Sequence, residues 1–368
     1  MKYADEYIGR ILCQLFGRKN PGISNIPADP KNILFIKFWG MGSIILTSPA
    51  VNLVKQKYPA AKLHYLTFKS NRETLEVLGI VDEIISINLS NPLKFNIDSV
   101  KLVNKLRKIN FDIVYDFEFF TYYSALINRF IKPKYSVGFD NRKNRRSRLS
   151  TNTAEFNDHI HTRDNFLYLV NAVSPLKGEI QKGFNLKKNN FFAGSSPYIV
   201  INPNASKMAY ERRLPADYFI KLIDELSSAG KYNINLTGSQ DETNYVTAIF
   251  DKLKNNGNIT NLAGKLSVNE LFSLIAGAEC LITNDSGPLH IASALNKPVI
   301  AFFGPESPVR YGPLSTKQLV FYRALECSPC MSVSNSKTVN CIYSEPKCMT
   351  GFEIGVIISR IDEFMEKL

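Results

Sequence analysis

Short apolar runs along this chain alternate with longer stretches whose apolar positions recur every three to four residues. That rhythm predicts strands alternating with helices. Residues 33–38 (Ile-Leu-Phe-Ile-Lys-Phe) read as a first strand and 49–57 as a helix. Further strands are expected at 63–68, 83–87 and 113–117, with helices over 101–108 and 124–130. A second alternation opens at 198–202 and runs through 233–237, 280–283 and 299–303. An amphipathic helix over 352–367 ends the pattern and is a candidate to cross back to the first domain. Such alternation predicts an α/β protein with parallel sheets covered on both faces.

Two stretches interrupt the pattern. Residues 140–150 are polar and strongly basic, and 177–196, rich in Lys, Asn, Gly and Ser, read as a linker. The expected organisation is a helix and linker at 1–30, one Rossmann-like domain at 31–180, a second at 190–350, and a closing helix at 351–368. Near the start, Tyr3, Tyr7, Ile8, Ile11, Leu12, Leu15 and Phe16 form one helical stripe, with Arg10, Arg18 and Lys19 elsewhere, and Pro21-Gly22 ends it. Two readings compete for this helix: docking on the protein body, or lying in a membrane interface.

Composition narrows the class. A chain of 368 residues with 45% hydrophobic and 21% charged residues suits two ordinary cores rather than disorder. No apolar stretch reaches membrane-spanning length, and Asp5 and Glu6 interrupt any secretory signal. The net charge of +12 fits nucleic acid, an anionic membrane surface or a phosphorylated substrate. A merely basic, soluble surface is the bland alternative. No helix-turn-helix, RNP-like or OB-type signature accompanies the charge, which weighs against nucleic acid.

The most informative segment is Leu281-Ile-Thr-Asn-Asp-Ser-Gly-Pro-Leu-His290, read as buried strand, sharp turn and short apolar helix. The turn would set free N–H groups and the positive end of a helix dipole at the carboxyl end of a strand, where a phosphate binds. Asp285 and Ser286 suit a helix cap, Gly287 admits a ligand to the backbone, and Pro288 fits a first helical turn. Taken alone, the turn fits an ordinary capped helix equally well. Asn204-Ala-Ser206 offers a second polar turn after a strand, followed by Lys207 and Arg212.

The succession Asn202-Pro-Asn-Ala-Ser206, Arg212-Arg-Leu-Pro215, Leu262-Ala-Gly264, Asp285-Ser-Gly-Pro-Leu-His290 and Phe303-Gly-Pro305 resembles glycosyltransferase family 9, the family of the ADP-heptose:lipopolysaccharide heptosyltransferases. The resemblance spans about residues 31 to 350 and is strongest over 197–313. It implies the GT-B architecture, two Rossmann-like domains whose parallel sheets face one another across a cleft. It also implies metal-independent transfer. Donor binding is implied for Ser206, Lys207, Arg212, Asp285, Ser286, Gly287, Pro288, Leu289 and His290. Asn204 stands where the family usually has Gly; Asn still tolerates left-handed backbone.

Acceptor chemistry is less regular. The family's first strand leads into a Gly-Asp pair whose Asp is the general base; here Gly42 is followed by Ser43, a neutral hydroxyl that needs help to accept a proton. Asp116 and Glu118, at the end of a strand, are the nearest carboxylates, and Glu118 is the candidate substitute base, with an exposed loop carboxylate as the alternative. Arg142, Lys143, Arg145, Arg146 and Arg148 could grip acceptor phosphates or simply be solvated. His161 and Asp164 read as structural.

Cys327, Cys330, Cys341 and Cys348 are spaced C-x2-C-x10-C-x6-C, which suits a tetrahedral structural zinc, free thiols, or disulfides in that order. Cys13 and Cys280 read as isolated thiols. The expected protein is an inverting glycosyltransferase needing no cofactor for catalysis, cytoplasmic and peripheral on the inner membrane. Its partners would be a nucleotide sugar such as ADP-heptose, an anionic lipid-linked glycan and the membrane surface, with no nucleic acid. Ser43 keeps two alternatives open: a catalytically retired nucleotide-sugar-binding protein, or another GT-B enzyme such as a nucleotide-sugar epimerase.

Overall fold

The computed structural model describes residues 5–17, 26–89, 91–140, 146–172, 196–205, 209–333, 337–339 and 341–368. Ser206, Lys207, Arg142, Lys143 and Arg145 lie outside the described residues. The chain divides into two compact units, Met1–Asn185 and Leu186–Leu368.

In the first unit, a single π turn, Asp5–Gly9, leads into α1 (Arg10–Phe16). Then follow β1 (Asn32–Ile36), α2 (Met41–Lys57), β2 (Lys62–Phe68), α3 (Arg72–Leu78) and β3 (Glu83–Ile87). The unit continues through α4 (Pro92–Arg107), β4 (Ile113–Asp116), α5 (Tyr122–Ile131), β5 (Tyr135–Asp140), β6 (Asn152–Glu155) and α6 (Thr162–Asn171). Its six strands pair in parallel in the order β3-β2-β1-β4-β5-β6. Both neighbours of β1 are long-range: Phe35 pairs with Tyr65 on one side and Tyr115 on the other. Such a strand is buried on both faces, which is why its sequence is a continuous apolar run rather than an alternating one.

Right-handed crossovers put α2 and α3 on one face of this sheet and α4 and α5 on the other. The first pair is joined by α6, which packs along α2. The second pair is joined by α1, which packs on α5 and on the turn Arg146–Leu149 between β5 and β6. Here Cys13 is wholly buried among Tyr122, Ala125 and Leu149. A Cβ on Gly9 would come within 2.4 Å of the Tyr122 Cβ, so only glycine permits this approach. Asp5 completes the joint by accepting from the first N–H groups of α5, those of Tyr122 at 3.0 Å and Tyr123 at 2.8 Å.

The second unit contains β7 (Tyr198–Asn202), α7 (Ala216–Ser228), β8 (Asn233–Leu236), α8 (Thr243–Phe250), β9 (Ile259–Asn261) and α9 (Val268–Gly277). It ends with β10 (Cys280–Asn284), α10 (Gly287–Ala294), β11 (Val299–Phe303), α11 (Pro308–Tyr311), β12 (Gln318–Tyr322), α12 (Lys347–Thr350) and α13 (Ile354–Glu366). The strand order is β12-β11-β10-β7-β8-β9, again all parallel. The closing helix packs within its own unit: Ile357, Ile361 and Met365 join the core of Phe219, Leu222, Ile223 and Phe302. That corrects the expected crossing back to the first domain. Sequence reading also missed β5, β6, β9 and β12.

Candidate functional site

Each sheet has one place where the strand order reverses, and there the loops on either side part to open a crevice at the carboxyl ends of the strands. In the second unit it lies between β7 and β10. Asn284, the last residue of β10, stitches its two walls: its Nδ2 donates to the carbonyls of Pro203 and Asn204, and its Oδ1 accepts from Leu214 N–H. The turn from 285 into α10 is thereby fixed against the loop after β7.

At this reversal Arg212 Nη1 sits 2.9 Å from Asp285 Oδ2, with both side chains largely buried. Asp285 thus orients a guanidinium at the mouth of the helix. Ser286 occupies the N-cap position, yet its side chain makes no capping hydrogen bond; the Ser286 hydroxyl instead meets Thr283 Oγ1 at 2.8 Å. The sequence expectation of a Ser286 cap is therefore corrected: the first N–H groups of α10 are not capped by the Ser286 side chain. Pro288, Leu289 and His290 are buried along α10, the His290 ring edge-on to Tyr311 at 6.2 Å.

The neighbouring arginine does a different job. Arg213 is sandwiched between the rings of Tyr210 and Tyr245, 4.3 and 4.2 Å from their centroids, which ties the loop after β7 to α8. Asn204 is buried, and its φ is not positive, so it does not adopt the left-handed conformation that a Gly-to-Asn exchange suggests. Its Nδ2 donates to Thr237 carbonyl at 3.0 Å, while its Oδ1 has no partner among the described residues. Gly238 makes room for it: a Cβ there would approach Asn204 Nδ2 to 2.8 Å.

The loop after β11 carries a cluster that sequence reading missed. Glu306 is buried between Arg310, which it meets at 2.7 Å, and Lys337, with Arg310 also donating to the Met331 carbonyl. The ammonium of Lys337 also lies over the Tyr311 ring, 3.5 Å from its centroid. The i,i+4 spacing of Glu306 and Arg310 just beyond Phe303-Gly-Pro305 was the available signal.

In the first unit the reversal falls between β1 and β4, which brings together Lys37, Asp116 and Glu118. Glu118 is wholly buried. Its Oε2 pairs with Lys37 Nζ at 2.9 Å, and its Oε1 accepts from the N–H groups of Phe38 and Trp39 at 2.6 and 3.0 Å. Both oxygens are thus engaged in holding the loop after β1. Asp116 is equally enclosed: Oδ1 accepts from Glu118 N–H, and Oδ2 from Ser124 and Arg146. Burial raises its carboxyl to about 6 although the Arg146 charge acts against the shift.

These contacts correct two expectations. Neither carboxylate has an oxygen open to an acceptor hydroxyl, so Glu118 and Asp116 are built as structural anchors rather than bases. Arg146 is not a solvent-facing phosphate grip either. It is buried, its guanidinium shared among Asp116, Ser124 and the carbonyls of Glu118, Thr121 and Phe139. A lysine inside the apolar run 33–38 was the sequence signal for a buried counter-ion. Gly42 is buried and Ser43 half-buried in the first turn of α2. His161 caps α6, accepting from Arg163 N–H at 3.1 Å, as a structural residue would.

Cys327 and Cys330 are half-buried, Cys341 exposed and Cys348 buried, all as free thiols. Burial and the charge of the neighbouring thiols push Cys348 up to about 11 and Cys330 upward. Among the described residues no group of three or more His, Cys, Asp or Glu is disposed to hold a metal ion.

A model of glycosyltransferase family 9 (heptosyltransferase) matches residues 99–339. Lipooligosaccharide heptosyltransferase 2 of Campylobacter jejuni is 24% identical over 345 residues, 91% of this chain and 98% of that protein. Lipooligosaccharide heptosyltransferase 2 of Haemophilus influenzae is 36% identical over 136 residues, 36% of this chain but only 39% of that protein's length. The solved structure of E. coli ADP-heptose LPS heptosyltransferase II superposes with a TM-score of 0.72 at 20% identity, covering 92% of this chain and 99% of that one. The common fold is GT-B, with two Rossmann-like parallel sheets.

Proposed function

This chain belongs to glycosyltransferase family 9, and from that membership we propose that it moves a sugar, a heptose or close relative, from a nucleoside-diphosphate donor. The acceptor is a lipopolysaccharide-core or other envelope glycan, met by a protein that is cytoplasmic and peripheral on the inner membrane. The carrying observation is the second unit's reversal point. There a helix N-terminus that its own N-cap Ser286 leaves uncapped and the Asp285-oriented Arg212 converge. Negative charge grows on the diphosphate as the anomeric C–O bond breaks, and preorganised N–H groups and a guanidinium stabilise charge that develops there. Direct displacement then forms the new bond from the acceptor oxygen to the anomeric carbon, and the nucleoside diphosphate departs with the bonding electron pair.

The acceptor proton needs a base, and here a second reading has its own support. Ser43 is a neutral hydroxyl, while Asp116 and Glu118 are locked in ion pairs. A protein that binds the nucleotide sugar without transferring it would carry this set. Calorimetry with ADP, UDP, GDP and CDP and their sugars tests the donor site: selective binding weakened by Arg212→Ala supports it, and no binding by any of them rejects it. Transfer to a lipopolysaccharide-core acceptor then separates enzyme from retired binder.

A further inference from the structure

The outer layer of the first unit carries apolar residues where water should be. On α4, Phe95, Leu102 and Leu106 are buried and recur on one helical face. By the same periodicity Leu93, Ile97 and Val100 fall on the opposite face, the one farthest from the sheet, and all three are exposed, Leu93 at 79%. The helix at the start of the chain repeats the arrangement. Cys13 is wholly buried, while Ile11 and Leu15 lie on the far side and are exposed, Leu15 at 71%, with Tyr7 and Ile8 exposed before them.

These two stripes belong to one layer. Helix α5 lies between, joined to α1 by the Phe16–Phe130 ring contact at 5.1 Å and to α4 by the Ser99–Tyr123 hydroxyl contact at 2.8 Å. Isolated exposed apolar residues are ordinary, but two outward stripes on one layer are not. The rim around them is basic. Exposed Lys94, Lys101, Lys105, Arg107 and Lys108 line α4 and its end against the single acid Asp98, and Arg10 and Arg148 are exposed beside α1. No helix of the described residues is long and apolar enough to cross a membrane.

We propose that this face, the outward stripes of α1 and α4 with their basic rim, docks in the headgroup region of an anionic lipid bilayer. Apolar side chains enter the acyl boundary while lysines and arginines meet lipid phosphates, the arrangement of an interfacial helix doubled across one surface. Charge complementarity selects this occupant over a second copy of the chain. A self-paired face would bring two basic rims together on molecules that each carry +12. The proposal rests on the peripheral placement given above and supplies the surface for it.

Co-sedimentation with vesicles of phosphatidylcholine, and with vesicles in which part of it is replaced by phosphatidylglycerol, is the test. The full chain is expected to bind the anionic vesicles, less as salt is raised. Leu15→Glu combined with Ile97→Glu should lower the partition coefficient on the order of tenfold or more. Lys94→Gln with Lys101→Gln should weaken binding and flatten its salt dependence. Nucleotide binding without vesicles, measured on the same variants, must stay unchanged, which separates a failed surface from a failed donor site and certifies the fold. Wild-type protein that ignores anionic vesicles, or binding untouched by the glutamates, overturns the proposal. So does a dimer in sedimentation velocity that the glutamates convert to monomer while vesicle binding persists.

Discussion

Glu118→Gln decides between an anchor and a base. The Glu118 carboxylate and Lys37 ammonium are 2.9 Å apart with side-chain exposures of 0% and 1%, so solvent screens almost none of their interaction. Removing one partner of such a pair leaves a buried uncompensated charge, which costs about 3–5 kcal/mol. Glutamine still offers a carbonyl to the Phe38 and Trp39 N–H groups, so the loss belongs at the low end, about 3 kcal/mol. With a urea m-value of about 2 kcal/mol per M, the midpoint falls by about 1.5 M. Lys37→Met should cost a similar amount. The double variant, with both charges gone and the backbone acceptor retained, should be more stable than either single one. Trp39 makes the measurement clean: it is the chain's one tryptophan, lies in the first unit and packs edge-on against Phe68 at 5.0 Å. Its fluorescence in urea therefore follows that unit. A Glu118→Gln protein with the wild-type midpoint but no transfer would refute the anchor and return Glu118 to the role of base.

Arg212→Ala should lower nucleoside-diphosphate affinity by about tenfold or more, because it removes a charge-assisted donor and strands Asp285; titration calorimetry reads this directly. Asp285→Ala should lower it too, through loss of guanidinium orientation, and unchanged affinity in either variant would dismiss the reversal-point site. Burial raises Asp5 to about 6 from 3.8, so between those values the folded state holds a proton that the unfolded chain releases. Its contribution is complete below 3.8 and lost as pH rises through about 6. Relative to Asp5→Asn, wild type should lose stability from pH 4 to 7 in Trp39-monitored unfolding, and a constant difference would exclude the titration. Elemental analysis of protein purified under reducing, chelator-free conditions tests the four-cysteine site: one zinc per chain assigns the metal to Cys327, Cys330, Cys341 and Cys348, and substoichiometric zinc dismisses it.

Most of the fold was legible because buried parallel strands write themselves as apolar runs. What escaped had weaker signatures for physical reasons. Strand β6 (Asn-Thr-Ala-Glu) lies at a sheet edge, with only its alanine buried, so it has no apolar run to read. Strand β9 is three residues long with one buried. The strand–turn–helix at 280–294 was legible because turn, proline and helix are contiguous in sequence. The roles of Glu118 and Arg146 were not: their partners lie 81 and 30 residues away, and sequence cannot tell a paired buried charge from a solvated one. Asn204 misled for a related reason. Its use lies in a side-chain bond to Thr237, whereas a residue exchange read from sequence suggests a backbone cause.

The two units apply one device to opposite ends. Both set polar groups at the point where strand order reverses. In the first unit these groups neutralise one another, Lys37 with Glu118 and Arg146 with Asp116, and the reversal point is spent on holding the loops after β1 and β4. In the second, Asp285 neutralises one guanidinium while Ser286 leaves the N-terminus of α10 uncapped. A phosphate favours a positive field that is not already cancelled. The proposed division of labour between donor and acceptor units agrees with where each sheet satisfies its charges internally. Among the described residues the cations beside the first unit's crevice, Lys37 and Arg146, are already paired, so a carboxylate added at position 43 is not drawn into an ion pair with them. Ser43→Asp is therefore the substitution most able to create or raise transfer without disturbing nucleotide affinity, and a Ser43→Asp protein that binds donor normally yet gains no transfer would argue that more than the base is missing.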